Sequence, residues 1–537
     1  MMETIKKILE YKQEYGFKLL LLKMITPKVK AEDYMQWRKA HSFSEAELKK
    51  QRDESFSYPV KISIAVPTYN TPIIFLQQMI DSIANQTYGN WELCIADGSD
   101  DRSVVEFIGH YGNKDGRIKV KHLSRNLGIA GNTNAALEMT TGEYIGLMDH
   151  DDILEESALY EIAKTLQGKD RPDIIYTDED KVSENLDVFY EPNFKPDFNL
   201  EMLRCNNYIC HFFLFNRTLL DKTGGFRERF DGAQDYDFIL RCVENTGRIE
   251  HLARPLYHWR TFSGSTAANP DSKQYAYIAG KCSIDEHLKR MGEQADVMYT
   301  RYPGFYRVKY RLPEKERVQI FIFHDEYETP RKKLKQCIQA IKKTSKYDKL
   351  TVNIIKKQDM LRKEDIKGDY VILLDSCVKF IHSGWLEEML SVCQREQVGI
   401  VGGKLYNKNE TIKHAGIIMG LDGYLFEGFP RTQNGYMHRE NLMQELSAVT
   451  TKLAMVSKET MYAWLEKFPE RKCYADEISF SKFIALENKK IIYDPYIEAY
   501  YLGREKRVVH GKTNLPDPYY NKNFNLCAPG YMLKMMK

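Results

Sequence analysis

The chain has 537 residues, more than one hydrophobic core usually serves, and its 43% hydrophobic and 28% charged residues suit a soluble, multidomain globular protein. A formal net charge of +3 argues against a general nucleic-acid binder and leaves room only for a local basic patch. Ten scattered cysteines with no paired C-x-x-C disfavour a zinc site and fit a reducing, cytoplasmic compartment, and no run reaches the roughly 18 apolar residues of a membrane span.

The first 25 residues, ending in "FKLLLLKMI", read as a basic, partly amphipathic helix without the features of a signal peptide. Such a helix either rests on an anionic membrane surface, as a peripheral contact at the inner face of the cell membrane, or packs on its own domain. Residues 1–58 are expected to form a helical N-terminal segment. Within it, "SFSEAELKKQRDE" carries Ser44 three positions before Glu47, a capping-box spacing. From residue 59 the pattern alternates. "VKISIAVPTYN" (60–70) is a strand and "TPIIFLQQMIDSIANQT" (71–87) a helix. "WELCIADGSDD" (91–101), "IKVKHLS" (118–124) and "EYIGLMD" (143–149) are further strands, with "IAGNTNAALEMT" (129–140) a helix between the last two. Strands and helices alternating at this spacing predict a parallel, doubly wound α/β sheet over residues 59–305.

In such a sheet, ligands bind beyond the carboxyl ends of the strands. The polar clusters fall there: Thr68 to Asn70, Asp97 to Asp101, Arg125 to Gly128, and Asp149 to Asp152. The unit has neither G-x-G-x-x-G nor G-x-x-x-x-G-K-[ST], so a dinucleotide fold or a P-loop is not supported. Three aspartates within "DHDD" repel one another unless a positive partner sits among them. A divalent cation, Mn2+ or Mg2+, holding a substrate diphosphate is one such partner. An acidic turn capping the helix "EESALYEIAKTL" is the alternative. The acidic run "YTDEDKV" (176–182) reads as a solvated hairpin or loop.

"SIAVPTYN", "CIADGSDD", "RNLGIAGNTN", "GEYIGLMDHDD", "GGFRERFDGAQDYDFILR" and "LYHWR" occur in that order. Together they resemble bacterial family 2 glycosyltransferases of the GT-A fold that build surface polysaccharides. The resemblance implies that Pro67, Tyr69 and Asn70 contact the nucleotide and that Asp97 reads the base. Arg125, Asn126 and Gly128 would border the nucleotide, with Asn134 on the helix facing it. It groups Asp149 and His150 with the nucleotide-sugar contacts. It makes Asp149, Asp151 and His258 the metal ligands, and Asp235 the general base of an inverting transfer.

The stretch 301–317, charged and containing prolines, reads as a junction, after which the pattern restarts over 316–537. "KGDYVILLDSCVKF" (367–380) aligns without gaps with "TGEYIGLMDHDDIL" (141–154), which makes the protein a tandem repeat of one GT-A-like fold. In that alignment Asp375 matches Asp149, but Cys377 stands where Asp151 would bind metal. The second domain is therefore expected to be degenerate. The function implied is a hexosyl transfer from a UDP- or dTDP-sugar to a lipid-linked or polymeric glycan. The alternatives are a noncatalytic glycan-binding or scaffold subunit, and a transferase with both domains active.

Overall fold

A computed structural model describes residues 12, 24, 29–262, 274–327, 329–504 and 516–535. All but two residues of the basic N-terminal stretch lie outside the described residues. The chain forms two compact units. Residues 29–198 and 206–308 make the N-terminal unit, and residues 199–205 return to the C-terminal unit with 309–532. Among the described residues no helix is long and apolar enough to cross a membrane.

The N-terminal unit is built on a mixed sheet. Its strands are β1 (Ile62–Thr68), β2 (Trp91–Asp97), β3 (Ile118–His122), β4 (Tyr144–Leu147), β5 (Ile153–Leu154), β6 (Ile174–Ser183), β7 (Phe189–Asn193), β8 (Phe213–Asn216) and β9 (Ile249–Thr261), in the order β3-β2-β1-β4-β8-β6-β9-β5, with β7 on β6. The expected parallel half is present: β1 pairs in parallel with β2 and β4, and β2 with β3. The other half is not purely parallel, because β8 runs antiparallel to both β4 and β6. β1 and β2 are buried along their whole length, so their apolar runs need no alternation. The core packs Ile62, Ile64, Leu93 and Ile95 of the sheet against Leu76, Met79 and Ile80 of the helix Ile73–Ala84. The sheet order reverses between β1 and β4, which opens a crevice at their carboxyl ends.

Residues 31–58 belong to this unit rather than forming a separate segment. The helix Glu45–Asp53 starts at Ser44 with the expected reciprocal capping box to Glu47. A further helix of that helical stretch, Ala31–His41, whose bounds the sequence did not mark, precedes it and buries Tyr34 and Trp37. The acidic run 176–182 is a second correction: it is β6, an interior strand, with Asp178, Glu179 and Asp180 all buried. Each carboxylate there has a basic or donor partner from elsewhere. Asp178 meets His251 (2.9 Å), Glu179 meets Lys195 (3.2 Å), and Asp180 accepts from Tyr34 (2.5 Å) and pairs with His258 (2.6 Å). Burying a charge is tolerable only with such partners, and none of them is adjacent in sequence.

After the hairpin of β10 (Ala295–Tyr299) and β11 (Tyr306–Tyr310), the C-terminal unit repeats the architecture. Its strands are β12 (Val318–His324), β13 (Leu350–Lys356), β14 (Tyr370–Asp375), β15 (Val378–Phe380), β16 (Val398–Tyr406), β17 (Ile412–His414), β18 (Gln444–Glu445), β19 (Leu453–Ser457) and β20 (Lys490–Tyr501). The order β13-β12-β14-β19-β16-β20-β15 matches the first sheet strand for strand, without a counterpart of β3. The segment between β13 and β14 holds no further strand, so β13 is left at the sheet edge.

Candidate active site

A cavity of about 580 Å³ opens at the carboxyl ends of β1 and β4, and Pro67, Asp149, Asp151, His211, Asp235 and Trp259 are among its lining. Four sequence-predicted residues therefore meet in one place. His211 is the addition. Its position follows from register: Leu147 of β4 faces Phe213 of β8, and continuing that antiparallel line two residues brings Asp149 opposite His211. Their nearest side-chain atoms lie 3.9 Å apart. Glycine is required at Gly146 on the same strand, since a Cβ there would come within 2.6 Å of the Phe212 ring.

The acidic turn is anchored from β9. The Tyr257 hydroxyl donates to Asp152 Oδ2 and accepts from the Asp149 N–H (3.2 Å). The Arg260 N–H donates to Asp152 Oδ1 (2.8 Å), and its Nε donates to the Asp151 carbonyl (2.6 Å). Among the described residues, Asp149, Asp152 and His211 offer ligand atoms all within 4.8 Å of one another. Two carboxylates and an imidazole suit a hard or borderline divalent cation. Asp151 lines the same cavity but lies outside that group. Burial pushes its carboxyl up, His150 opposes this, and Asp149 adds to it. The His150 ring is 3.8 Å from Asp151 and does not line the cavity.

The expectation that His258 reaches the metal fails on this geometry. Strand alternation puts Tyr257 and Trp259 on the cavity side, where Tyr257 stacks on the His211 ring, and turns His258 to the opposite face. There His258 is 2% exposed, with Nδ1 on Asp180 (2.6 Å) and Nε2 on Glu155 (3.1 Å). Against the penalty of burial, these two carboxylates raise its pKa to about 9. Arg38 of the N-terminal helix completes the group.

Asp235 stands in the first turn of the helix Gln234–Val243, as the motif implied. Burial raises its carboxyl above the ordinary range, His211 opposes this, and Asp149 adds to it. The Asn207 amide donates to its Oδ2 at 2.8 Å, a contact that sequence reasoning missed.

Of the nucleotide-side residues, Pro67 lines the cavity. Asp97, at the end of β2, is 1% exposed. Its Oδ1 accepts from Thr68 (2.8 Å) and Ser99 (2.5 Å), and its Oδ2 lies 3.2 Å from His122. Asn70 braces the loop after β2, accepting from the Asp100 N–H (3.1 Å), while exposed Tyr69 reaches Asp100 (3.3 Å). Arg125 is exposed. Asn126 accepts from the Gly128 N–H (3.0 Å), and Gly128 starts its helix at φ +77°, where a Cβ would meet Asp231 at 2.9 Å. Asn134 is engaged by the backbone: its Nδ2 donates to the Phe226 carbonyl (2.9 Å) and its Oδ1 accepts from the Phe226 N–H (2.7 Å).

Residues 63–224 match the family model described as Glycosyl transferase family 2. The chain carries a family 2 glycosyltransferase domain. An uncharacterized protein, y4gI, of Sinorhizobium fredii is 34% identical over 439 residues, covering 74% of this chain and 48% of that protein. The O-antigen biosynthesis protein RfbC of Myxococcus xanthus is 27% identical over 481 residues, covering 82% of this chain and 37% of that protein. A chondroitin synthase of Pasteurella multocida is 33% identical over 199 residues, covering 37% of this chain and 20% of that protein. The chain thus spans less than half the length of these relatives. The first two alignments run well past the family 2 domain.

The C-terminal unit places a lysine beside the counterpart of the acidic turn. Asp375, the counterpart of Asp149, is 5% exposed and pairs with Lys357 Nζ at 2.9 Å, and its Oδ1 accepts from the Cys377 N–H (2.8 Å). Burial and Asp375 push the Cys377 thiol up to about 11, which leaves it un-ionised and a poor nucleophile.

Proposed function

We propose that the chain transfers a sugar from a nucleoside-diphosphate donor to a hydroxyl of a growing bacterial surface glycan, with inversion at the anomeric carbon. What carries the reading is the meeting of Asp149, Asp151, His211 and Asp235 in one cavity of the unit that holds the family 2 match over residues 63–224. The names of the relatives RfbC and chondroitin synthase support the glycan product.

Asp149 and His211, with Asp151 or Asp152 of the same turn, would hold Mn2+ or Mg2+. When bound, such a cation stabilises the charge that gathers on the leaving diphosphate. Asp235 takes the proton from the acceptor hydroxyl as oxygen attacks the anomeric carbon. The bond to the diphosphate breaks on the opposite side, and the electron pair leaves with it. A carboxylate raised by burial is a stronger base than a solvated one, and Asn207 holds it in one orientation. The site has one base and no second carboxylate assigned as a nucleophile, which fits a single displacement. Asp97, freed from His122, would hydrogen-bond uracil or thymine alike, so UDP- and dTDP-sugars both fit. Sugar nucleotides are cytosolic, which would put the reaction on the cytoplasmic side with a lipid-linked acceptor at the membrane face. The lysine beside Asp375 supports the family 2 domain as the sole transferase.

The test is nucleotide release from a panel of nucleotide sugars, with Mn2+, with Mg2+ and with EDTA, beside Asp151→Ala and Asp375→Ala. Metal-dependent release lost only in Asp151→Ala is expected. Release surviving Asp151→Ala but failing in Asp375→Ala would transfer the chemistry to the C-terminal unit.

A further inference from the structure

The C-terminal unit carries a basic face that its fold does not require. The helix Arg331–Thr344 connects β12 to β13 and holds five lysines and an arginine with no acid. The helix Ile73–Ala84 fills the same place in the N-terminal unit, between β1 and β2, and has no basic residue. Packing on the sheet therefore does not call for the lysines. It uses the opposite stripe, Cys337, Ala340 and Ile341, which is buried.

Lys332, Lys335 and Lys342 recur at helical spacing on the outer face, and Lys343 and Lys346 extend it. All five are exposed. Among the described residues none of them forms an ion pair, although surface lysines elsewhere in the unit do, such as Lys315 with Asp348 and Lys363 with Glu466. Residues 331–349 contain eight Lys and Arg and one Asp, against a formal net charge of +3 for the whole chain. The concentration of charge is thus local. Tyr327, which precedes the helix, is 87% exposed.

We propose that this face is a docking surface for an anionic lipid bilayer. The lysines would sit among headgroup phosphates and Tyr327 at the interface. Two observations favour a bilayer over a polyanionic glycan. The surface is the convex outside of a helix rather than a groove. Its charges are almost all lysines, point charges suited to a diffuse layer of phosphate, where recognition of individual anionic groups favours the arginine fork. The inference stands on this surface alone and does not depend on the transferase reading.

Flotation of the full chain with phosphatidylcholine vesicles, and with vesicles containing phosphatidylglycerol, tests it. The variant is Lys332→Glu, Lys335→Glu, Lys342→Glu and Lys346→Glu together, with Lys→Ala at the same positions as a milder second variant. The wild type should prefer the anionic vesicles and be released by raised salt. Each lysine near an anionic surface contributes about fivefold to partition, so the quadruple reversal should weaken binding by roughly a hundredfold or more. The alanine variant should fall between, and both should keep the wild-type circular dichroism. Equal flotation of wild type and reversed chain on anionic vesicles would overturn the proposal. So would a wild type that ignores the vesicles yet is held on a sulfated-glycan column through the same lysines.

Discussion

His258 offers the sharpest separation of structural from catalytic roles. Replacing it by Gln keeps the side-chain volume but removes the imidazolium that lies between Asp180 and Glu155. Its pKa rises from 6.5 to about 9 in the folded chain, so folding favours the charged form by about 3 kcal/mol. Removing one partner of a buried ion pair independently costs about 3–5 kcal/mol. Arg38 and Tyr34 still contact Asp180, which favours the lower figure. For a unit of this size that is a fall of about 6–12 °C in Tm. The sign of the pH dependence follows from the raised pKa. The contribution is complete below the unfolded value of 6.5 and is lost as pH rises through about 9. Differential scanning calorimetry should show a wide gap between wild type and His258→Gln near neutral pH that narrows toward alkaline pH. Mn2+ titration should give similar affinity for both, while His211→Ala loses about tenfold or more in Mn2+ affinity with little change in Tm. A His258→Gln protein that keeps its Tm but no longer binds Mn2+ would refute the reasoning and restore His258 to the metal.

Asp235→Asn should lower sugar transfer by about a hundredfold or more while sparing donor binding, measured by calorimetry with a non-hydrolysed donor. Because burial raises the Asp235 carboxyl, the acid limb of the wild-type rate profile should lie above the ordinary aspartate value of 3.8; a limb at or below it would count against Asp235 as base. Lys357→Met leaves Asp375 without its cation, but the lysine is 37% exposed and screened, so the C-terminal unit should lose only about 1–2 kcal/mol by denaturant unfolding, with Mn2+ affinity unchanged. Gly128→Ala places a Cβ at φ +77° and 2.9 Å from Asp231; a loss of about 1–2 kcal/mol is expected, and an unchanged melting curve would mean the loop relaxes.

The α/β class, the first four strands with their intervening helices, the capping box at Ser44 and the repeat were all legible in the chain. Each depends on neighbours within a few residues: a strand's apolar run, a helix's periodicity, a side chain reaching its own backbone. The strand-end aspartates stand out as local punctuation of that pattern, whereas Asp235 enters only through the resemblance of its motif. His211 was not, because only the antiparallel pairing of β8 with β4 carries it to Asp149. The burial of β6 was hidden because its acids are neutralised by Lys195, His251 and His258, residues near in space but up to 78 positions away in the chain. His258 was misassigned because motif membership does not reveal which face of a strand a residue occupies. Local sequence determines which elements form and where charge is offered. Which charges meet is decided by tertiary pairing, since a buried carboxylate is stable only beside a partner that the fold alone can deliver.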